Sequence, residues 1–188
     1  MELAEAIARR RSIRLFTGEA IDTGLIDELV DAAISAPSSL NAQPWHFHVA
    51  LGAAREAAGA AIAQSTRFLQ EYADMLPPEM LDKAARFYAD LGRAPVLIAV
   101  SVPEADDEVD RINVLVAAGA AIQNLMLRAT DLGLGACCIT VPRWVVDQVK
   151  SAMRVPEDRM IAGLVLVGKP AEEPVAAPRR RDVVTYIE

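Results

Sequence analysis

The sequence predicts a single domain, residues 1–188, in which α-helices and β-strands share one hydrophobic core. Three observations lead to this prediction. The length of 188 residues is that of one ordinary domain. Hydrophobic residues make up 53% of the chain and aromatic residues only 5%, so the core is expected to consist of Ala, Val, Leu and Ile. Segments of helical periodicity alternate with short strand-like runs, without an internal repeat.

The amino-terminal part predicts two helices and a strand. Residues 2–11 carry apolar side chains at helical spacing. The stretch "DTGLIDELVDAAISAP" predicts a second helix, which Asp22 caps and Pro37 ends. The run "WHFHVAL" (45–51) then alternates between apolar and polar residues, as a half-buried strand does.

The middle of the chain predicts three helices around a buried strand. Residues 53–72 and 78–91 are helical in pattern, and 94–102 read as a buried strand. The helix predicted over 111–132 is apolar nearly all round, which indicates burial. Gly119, among alanines, would allow another helix to approach closely, either in the core or at a subunit contact.

The last third predicts a strand at 132–140, a helix at 142–153 and a buried strand at 160–168. A proline-rich stretch follows, and the end of the chain, "DVVTYIE" (182–188), regains strand character. A tail that leaves its domain and becomes strand-like again often pairs with something else. We therefore expect residues 182–188 to pair outside their own domain, with a partner chain as one candidate.

Charge and cysteine content exclude several classes of protein. The net charge of −7 argues against a nucleic-acid partner. No apolar run approaches the roughly 20 residues that cross a bilayer, and the first residues do not resemble a secretion signal. We expect a cytoplasmic protein with no membrane partner. Cys137 and Cys138 suit a buried strand, and His46 and His48 lack a third ligand, so no metal site is predicted.

Basic residues are concentrated in two short segments. If the backbone after the first helix is extended, Arg10, Ser12 and Arg14 lie on one side of it, opposite Ile13 and Leu15. A second pair with the same spacing, in "PRRR", follows a proline near the end of the chain. Guanidinium groups hold phosphate oxygens in bidentate fashion. The two segments therefore predict a phosphate site, with solvated basic surfaces as the alternative.

The loop "APSSLNAQPWHFHV" (36–49) carries an unusual number of hydrogen-bonding groups. These belong to Ser38, Ser39, Asn41 and Gln43. The flanking prolines make the backbone rigid enough to present N–H and C=O groups to a planar heterocycle. The alternative is an ordinary polar connection between a helix and a strand.

The sequence resembles the nitroreductase family of FMN-dependent oxidoreductases. The resemblance rests on "RRSIRLF", "PSSLNAQPWHF", "AAIQNLMLRATDLGLGACCI", "LVLVGKP" and "PRRR", which occur in the family's order and spacing. It implies an α+β fold, a three-layer α/β/α sandwich with a central mixed, mostly antiparallel sheet. It also implies an intertwined homodimer in which the C-terminal tail is exchanged, with one FMN in each of two interface sites.

The resemblance assigns cofactor-binding residues from several segments. Those implied to hold the FMN phosphate and the pyrimidine edge of the flavin are Arg10, Arg11, Ser12 and Arg14. Those implied to close on the phosphate are Arg179 and Arg181. Those implied to line the cofactor from the other subunit are Pro37, Ser38, Ser39, Leu40 and Asn41. Thr140 and Val141 would approach the flavin ring through their backbone.

The activity that the resemblance implies is hydride transfer from NAD(P)H, through the N5 atom of FMN, to a small electron-poor acceptor such as a nitroaromatic or a quinone. The two substrates would bind in turn, in a ping-pong cycle. Because the flavin carries the hydride, no side-chain nucleophile or general base is required. Arg14 is the candidate catalytic residue, which would supply positive charge near N1 and the C2 carbonyl.

The region between Gly52 and Arg93 carries no family motif and would supply the substrate lid. Gln64 and Gln70 are alternative contacts to the ribityl chain. Leu40 and Ala42 stand where the family often has Thr and Ser, so some hydrogen bonds to the cofactor would be missing.

Three other activities are open at this point. A reductive dehalogenase of this family would use a lid with Glu, Tyr and Lys, for which Glu71, Tyr72 and Lys83 are available. A flavin-processing enzyme would consume the cofactor. A dimer that stores or senses FMN would bind the cofactor without turnover.

Overall fold

Helices and strands alternate along the chain. The computed structural model describes residues 1–72, 75 and 77–188, except for the side chains of Gln70 and Tyr72. The helices are α1 (Leu3–Arg9), α2 (Thr23–Ile34), α3 (Gly52–Ala63), α4 (Pro78–Asp90), α5 (Glu108–Asp131) and α6 (Val146–Ala152). The strands are β1 (His46–Leu51), β2 (Val96–Pro103), β3 (Gly135–Ile139) and β4 (Arg159–Gly168).

Two helix boundaries have clear local causes. The Asp22 carboxylate accepts a hydrogen bond from the backbone N–H of Gly24, at 2.8 Å, and so caps α2 as the sequence predicts. The helix predicted over 53–72 is shorter: α3 ends at Ala63 and continues as 3₁₀ turns over Gln64–Tyr72. The Thr66 hydroxyl donates to the Ala63 carbonyl oxygen at 2.7 Å, a local bond that competes with the regular helix.

The four strands form one sheet in the order β1-β2-β4-β3, and each neighbouring pair is antiparallel. Ile98 of β2 faces Val165 of β4 in the centre of the sheet, and both are fully buried. The only parallel pairing among the described residues is an isolated bridge between Ser12 and Ala136. The α+β fold with a mostly antiparallel sheet is thus confirmed.

Helices cover both faces of the sheet. On one face, Leu29 of α2 and Leu125 of α5 share a core with Val165. On the other face, Ile62 of α3 belongs to a second core with Leu166. Val165 and Leu166 enter opposite cores because successive side chains of a strand point to opposite faces. The result is the three-layer α/β/α arrangement.

The long helix α5 buries only one of its two apolar faces. Its buried residues are Ala117, Ala118, Ala121, Ile122, Leu125 and Ala129. On the other face, Ile112 is exposed, Val116 is 67% exposed, and a Cβ added at Gly119 would meet nothing within 4 Å. The prediction of an all-round buried helix is therefore wrong for the single chain. An exposed apolar stripe on a core helix is typical of a subunit contact.

By length and composition alone, α5 also qualifies as a membrane-spanning helix, as the core helices of many soluble proteins do. Here it packs against α2, β2, β3 and β4, so its apolar composition is accounted for by the domain core and by the exposed stripe.

Among the described residues, the hydrogen bonds between the tail and the domain lie at the start of the tail. Pro170 forms an isolated antiparallel bridge with Phe16, and the Ala171 N–H donates to the Leu15 carbonyl oxygen at 2.9 Å. From residue 175 onward every residue is exposed. Within the described part of this single chain, residues 182–188 form no strand. Their pairing with a partner chain stays a prediction.

Candidate functional site

The extended segment of residues 10–14, here called the arginine segment, runs along the outer edge of β3. The Ile13 N–H donates to the Ala136 carbonyl oxygen at 3.0 Å, which fixes the extended backbone. Ile13 is buried and Arg14 is exposed, as the alternation predicts. Leu15 was expected on the buried side with Ile13 but is 45% exposed. That expectation is wrong because the ring of Phe16 fills the buried position instead.

Two glycines allow close contact with this segment, Gly135 of β3 and Gly92 in the turn after α4. A Cβ added at Gly135 would lie 2.9 Å from the Cβ of Ile13. One added at Gly92 would lie 1.8 Å from the carbonyl oxygen of Arg14, and Gly92 also has a φ of +60°. Only glycine allows so close an approach of two backbones. The sequence reasoning missed both residues, and the only local signal was an isolated glycine beside a strand or a helix end.

Charged groups of both signs lie beside β3. Burial raises the pKa of the Cys137 thiol and the Glu172 carboxylate adds to this rise, whereas the nearby guanidinium groups of Arg14 and Arg10 lower the pKa. These two predicted site residues therefore act electrostatically on the same place. Arg11 serves a different purpose in this chain, because its guanidinium donates to the carbonyl oxygens of Ala8, at 2.7 Å, and Arg10, at 2.8 Å. It caps the end of α1.

Two backbone N–H groups of this region donate to a carboxylate of the same chain. The Glu172 carboxylate accepts hydrogen bonds from the backbone N–H groups of Arg14 and Leu15, the latter at 3.1 Å. This carboxylate is a chemical stand-in for a phosphate or a carbonyl oxygen, since each accepts from backbone N–H groups. Together with the neighbouring guanidinium groups, the donors fit an anionic cofactor such as FMN.

The loop between α2 and β1 has unusual backbone angles. Leu40, Asn41 and Gln43 all have positive φ, between 47° and 54°. The Ser38 hydroxyl accepts a hydrogen bond from the backbone N–H of Gln43, at 2.9 Å, which closes the loop on itself. Non-glycine residues with positive φ are uncommon and occur often at functional sites. Pro37 and Ser39 are exposed in the same loop.

The polar loop between α2 and β1 lies beside the amino-terminal half of α5, whereas the arginine segment lies beside its carboxyl end. Ser38 and Ser39 line a cavity of about 580 Å³ together with Ala117 of α5. Arg11 lines another of about 450 Å³ together with Thr130 of α5. At 1.5 Å per helical residue, Ala117 and Thr130 are about 20 Å apart along the helix. One chain therefore does not bring the two predicted halves of the site together.

Thr140 and Val141 follow β3 and line a cavity of about 400 Å³ beside the 3₁₀ segment and α4. In this part of the predicted lid, the Arg143 guanidinium donates to the Glu71 carboxylate at 2.9 Å. Glu71, one of the three candidates for a dehalogenase lid, is therefore paired with Arg143. The side chains of Tyr72 and Gln70 lie outside the described part. Gln64 and Lys83 are exposed.

The tail arginines stand apart from the rest of the candidate site in this chain. Arg179 and Arg181 are exposed, and Arg180 between them pairs with Asp182 at 3.0 Å.

A hydrogen-bond network holds the base of the polar loop. The Arg159 guanidinium donates to the carbonyl oxygen of Pro44 at 2.6 Å and to the hydroxyl of Ser101 at 2.9 Å. His48 Nε2 lies 3.0 Å from the same hydroxyl. Burial, and then the charges of His46 and Arg159, lower the pKa of His48. Within the described residues there is no cluster of three or more potential metal ligands.

The sequence of this chain is similar to the sequences of one protein family. The chain matches the Nitroreductase family model over residues 7–169. It is 32% identical to a 5,6-dimethylbenzimidazole synthase of Rhodospirillum rubrum over 179 residues, which cover 87% of this chain and 80% of the relative. It is 27% identical to a nitrobenzene nitroreductase of Ectopseudomonas oleovorans over 198 residues, covering 86% and 84%.

The fold is also similar to that of solved proteins. A Desulfovibrio desulfuricans protein, solved as a nitroreductase in complex with FMN, superimposes with a TM-score of 0.72 at 26% identity, covering 100% of this chain and 97% of the other.

Proposed function

The chain belongs to the nitroreductase family, and on that premise we propose that it is an FMN-dependent NAD(P)H oxidoreductase. It reduces small electron-poor acceptors, such as nitroaromatics or quinones, by ping-pong hydride transfer. The observation that carries the proposal is the edge of β3, where two backbone N–H groups hold a carboxylate beside the charges of Arg10 and Arg14. The FMN bound to a solved relative and the nitrobenzene-reducing activity in the name of another support it.

When bound, FMN supplies hydride acceptance and donation at its N5 atom. The chain's own residues bind and orient it. We assign Arg10 and Ser12 to its phosphate, with Arg11 behind them as the cap of α1. Arg14 is assigned to the pyrimidine edge, where negative charge accumulates on reduction, and its backbone N–H, which donates to Glu172 here, would serve the cofactor if the cofactor displaced that carboxylate. Thr140 and Val141 would approach the ring through their backbone.

We infer that the working form is a homodimer. Ala117, beside the polar loop, and Thr130, beside the arginine segment, are about 20 Å apart along α5, so in this proposal a complete site uses the loop of a second chain. The exposed stripe of α5, with Val116 and Gly119, offers the apolar surface for that contact. The exposed tail carries Arg179 and Arg181 to the phosphate. Both cysteines are free thiols, as suits the cytoplasm.

The Arg14→Ala variant tests the site. Removing one donor from a developing anion typically costs about 10²- to 10³-fold in rate, so we expect a loss of that size in the anaerobic reduction of FMN by NADH or NADPH. Arg9→Ala is the matched control, since Arg9 belongs to the same basic run but pairs with Glu5 on the surface at 3.0 Å. Full FMN affinity together with an unchanged reduction rate in Arg14→Ala would count against the assignment.

A flavin-processing activity is the second candidate, because the chain is 32% identical to a 5,6-dimethylbenzimidazole synthase. The two candidates differ in the fate of the cofactor. An oxidoreductase returns FMN unchanged after many turnovers. A processing enzyme consumes reduced FMN in air and releases 5,6-dimethylbenzimidazole. Mass-spectrometric quantification of both compounds after prolonged aerobic turnover separates the candidates.

A further inference from the structure

The pairing of β2 with β4 changes register at Ser101. Val100 faces Gly163, whereas Ser101 faces Ile161, so β4 has one extra residue at this point, a β-bulge. Bulges turn a side chain in a new direction and are frequent next to functional sites. The side chain of Ser101 is fully buried. A hydroxyl group inside the sheet requires hydrogen-bond partners.

Arg159 connects this hydroxyl to the polar loop between α2 and β1. Its guanidinium donates to the Ser101 hydroxyl at 2.9 Å, to the Ser101 carbonyl oxygen at 2.8 Å and to the Pro44 carbonyl oxygen at 2.6 Å. Three non-glycine residues of the loop have positive φ. Backbone of this kind persists only where the surrounding structure holds it, and the bond to Pro44 is one such contact.

The partners of the Ser101 hydroxyl indicate where its hydrogen lies. Arginine only donates, so the oxygen of Ser101 accepts from Arg159 and its own hydrogen is left for the second partner. That partner is Nε2 of His48, 3.0 Å away, which accepts only in a neutral imidazole. In a protonated imidazole Nε2 would donate instead, and two cations would share one hydroxyl oxygen. The network therefore favours a neutral His48.

The charges around His48 act in the same direction. Burial, and then the charges of His46 and Arg159, lower its pKa. The ring centroids of His46 and His48 are 4.7 Å apart. The charged residues of α3, which also packs on β1, are Arg55 and Glu56 in its first turn, next to the opposite end of the strand. Both nearby cations thus oppose a proton on His48.

We propose that this network makes the position of the polar loop dependent on pH, with Arg159 as the positioning residue. While His48 is neutral, Ser101 and Arg159 together hold Pro44. A proton on His48 makes its Nε2–H compete with Arg159 for the Ser101 oxygen, and the loop loosens. The loosening of the loop is independent of the proposed function. Its consequence, weaker FMN binding in acid, rests on the proposed function, because the loop is there a wall of the cofactor site.

Hydrogen–deuterium exchange of the full chain measures the loop directly. A peptide covering residues 36–45 is compared at pH 7.5 and pH 5, corrected for the intrinsic pH dependence of exchange, with a β4 peptide around Val165 as reference. We expect the loop to exchange about tenfold faster at pH 5, which corresponds to the loss of one hydrogen bond, and β4 to stay protected. His48→Gln should abolish the acceleration, whereas the control His46→Gln should keep it.

Variants of Arg159 test the positioning role. Arg159→Leu should give fast exchange of the loop at both pH values, and Arg159→Lys, which lacks the forked donor, should restore protection only in part. Arg55→Leu is the matched control, because Arg55 is also half-buried and donates to two backbone carbonyl oxygens, those of Ala94 and Asp90. It should lower the melting temperature without accelerating exchange of the loop.

Equal exchange of the loop at both pH values in the wild type, or an acceleration that persists in His48→Gln, overturns the proposal. An acceleration that extends to β4 indicates global unfolding and overturns it as well. The dissociation constant of FMN should rise more steeply with acidification in the wild type than in His48→Gln, a comparison that cancels the titration of the FMN phosphate. Equal slopes overturn the link to the cofactor. If no variant binds FMN, the proposed function fails, while exchange of the loop still decides the inference.

Discussion

Arg159 is the side chain that joins the sheet to the polar loop. It donates to the Pro44 carbonyl oxygen at the end of the loop and to both the hydroxyl and the carbonyl oxygen of Ser101 in β2. His48 of β1 shares the Ser101 hydroxyl. The position of the loop thus depends on a half-buried network that includes one titratable imidazole, that of His48.

We predict that stability falls with acidification because of His48. Burial first, and the charges of His46 and Arg159 second, lower its pKa in the folded protein. The unfolded chain therefore binds a proton more readily than the native one. The stabilisation is complete above the unfolded value of about 6.5 and is lost as the pH falls through the native pKa.

Urea unfolding at pH 7.5 and pH 5 checks this prediction. The wild type should lose more stability between the two values than His48→Gln, in which the titrating group is absent. His46→Gln, at an exposed position of the same strand, is the control and should retain most of the loss. An equal loss in His48→Gln and the wild type would contradict the prediction.

At the scale of elements, the end of α4 determines where the arginine segment can lie. The Phe16 N–H donates to the Gly92 carbonyl oxygen at 2.8 Å, and the Asp90 carboxylate accepts from the Gly92 N–H at 2.9 Å. Gly92 thereby links the end of the predicted lid to Arg14, the residue we assign to the flavin. A shift of this turn would move the charge of Arg14.

Gly92→Ala should destabilise the protein by about 2–5 kcal/mol, the sum of backbone strain and a steric collision. Gly52→Ala is the matched control, because Gly52 also has a positive φ, of +50°, but a Cβ there meets nothing within 4 Å. Its cost should be only about 1–2 kcal/mol, from strain alone. Chemical denaturation of both variants separates the two contributions, and equal losses would show that the contact with Arg14 carries no weight.

Local sequence patterns predicted the helices and strands better than they predicted the contacts between them. The period of α5 and the cap at Asp22 are visible in the sequence because they depend on neighbours a few residues away. The contact between Gly92 and Arg14 joins residues far apart in the chain, and periodicity carries no signal for it. The buried hydroxyl of Ser65, which has no hydrogen-bond partner among the described residues, was invisible for the same reason, since partners in space decide whether a buried group is satisfied.

At the scale of the whole molecule, the two predicted halves of the candidate site lie in different places in one chain. The polar loop accompanies the amino-terminal half of α5 and the arginines its carboxyl end. The predicted fold is confirmed, whereas the segments that the family resemblance assigns to the site stay a prediction. The order of the strands and the burial of α5 were not readable, because both depend on packing between segments that are distant in the chain.

The separation of the half-sites along α5 has a genetic consequence. In the proposed homodimer, a chain with Arg14→Ala has a sound loop but a damaged arginine segment, and a chain with Asn41→Ala has the reverse, so we expect each to be impaired when it pairs with itself. Unfolded together and refolded as an equal mixture, the two defective chains should recover about a quarter of the wild-type sites, since half of the dimers are mixed and each repairs one site. Two alleles that each abolish activity would then complement one another in a single cell.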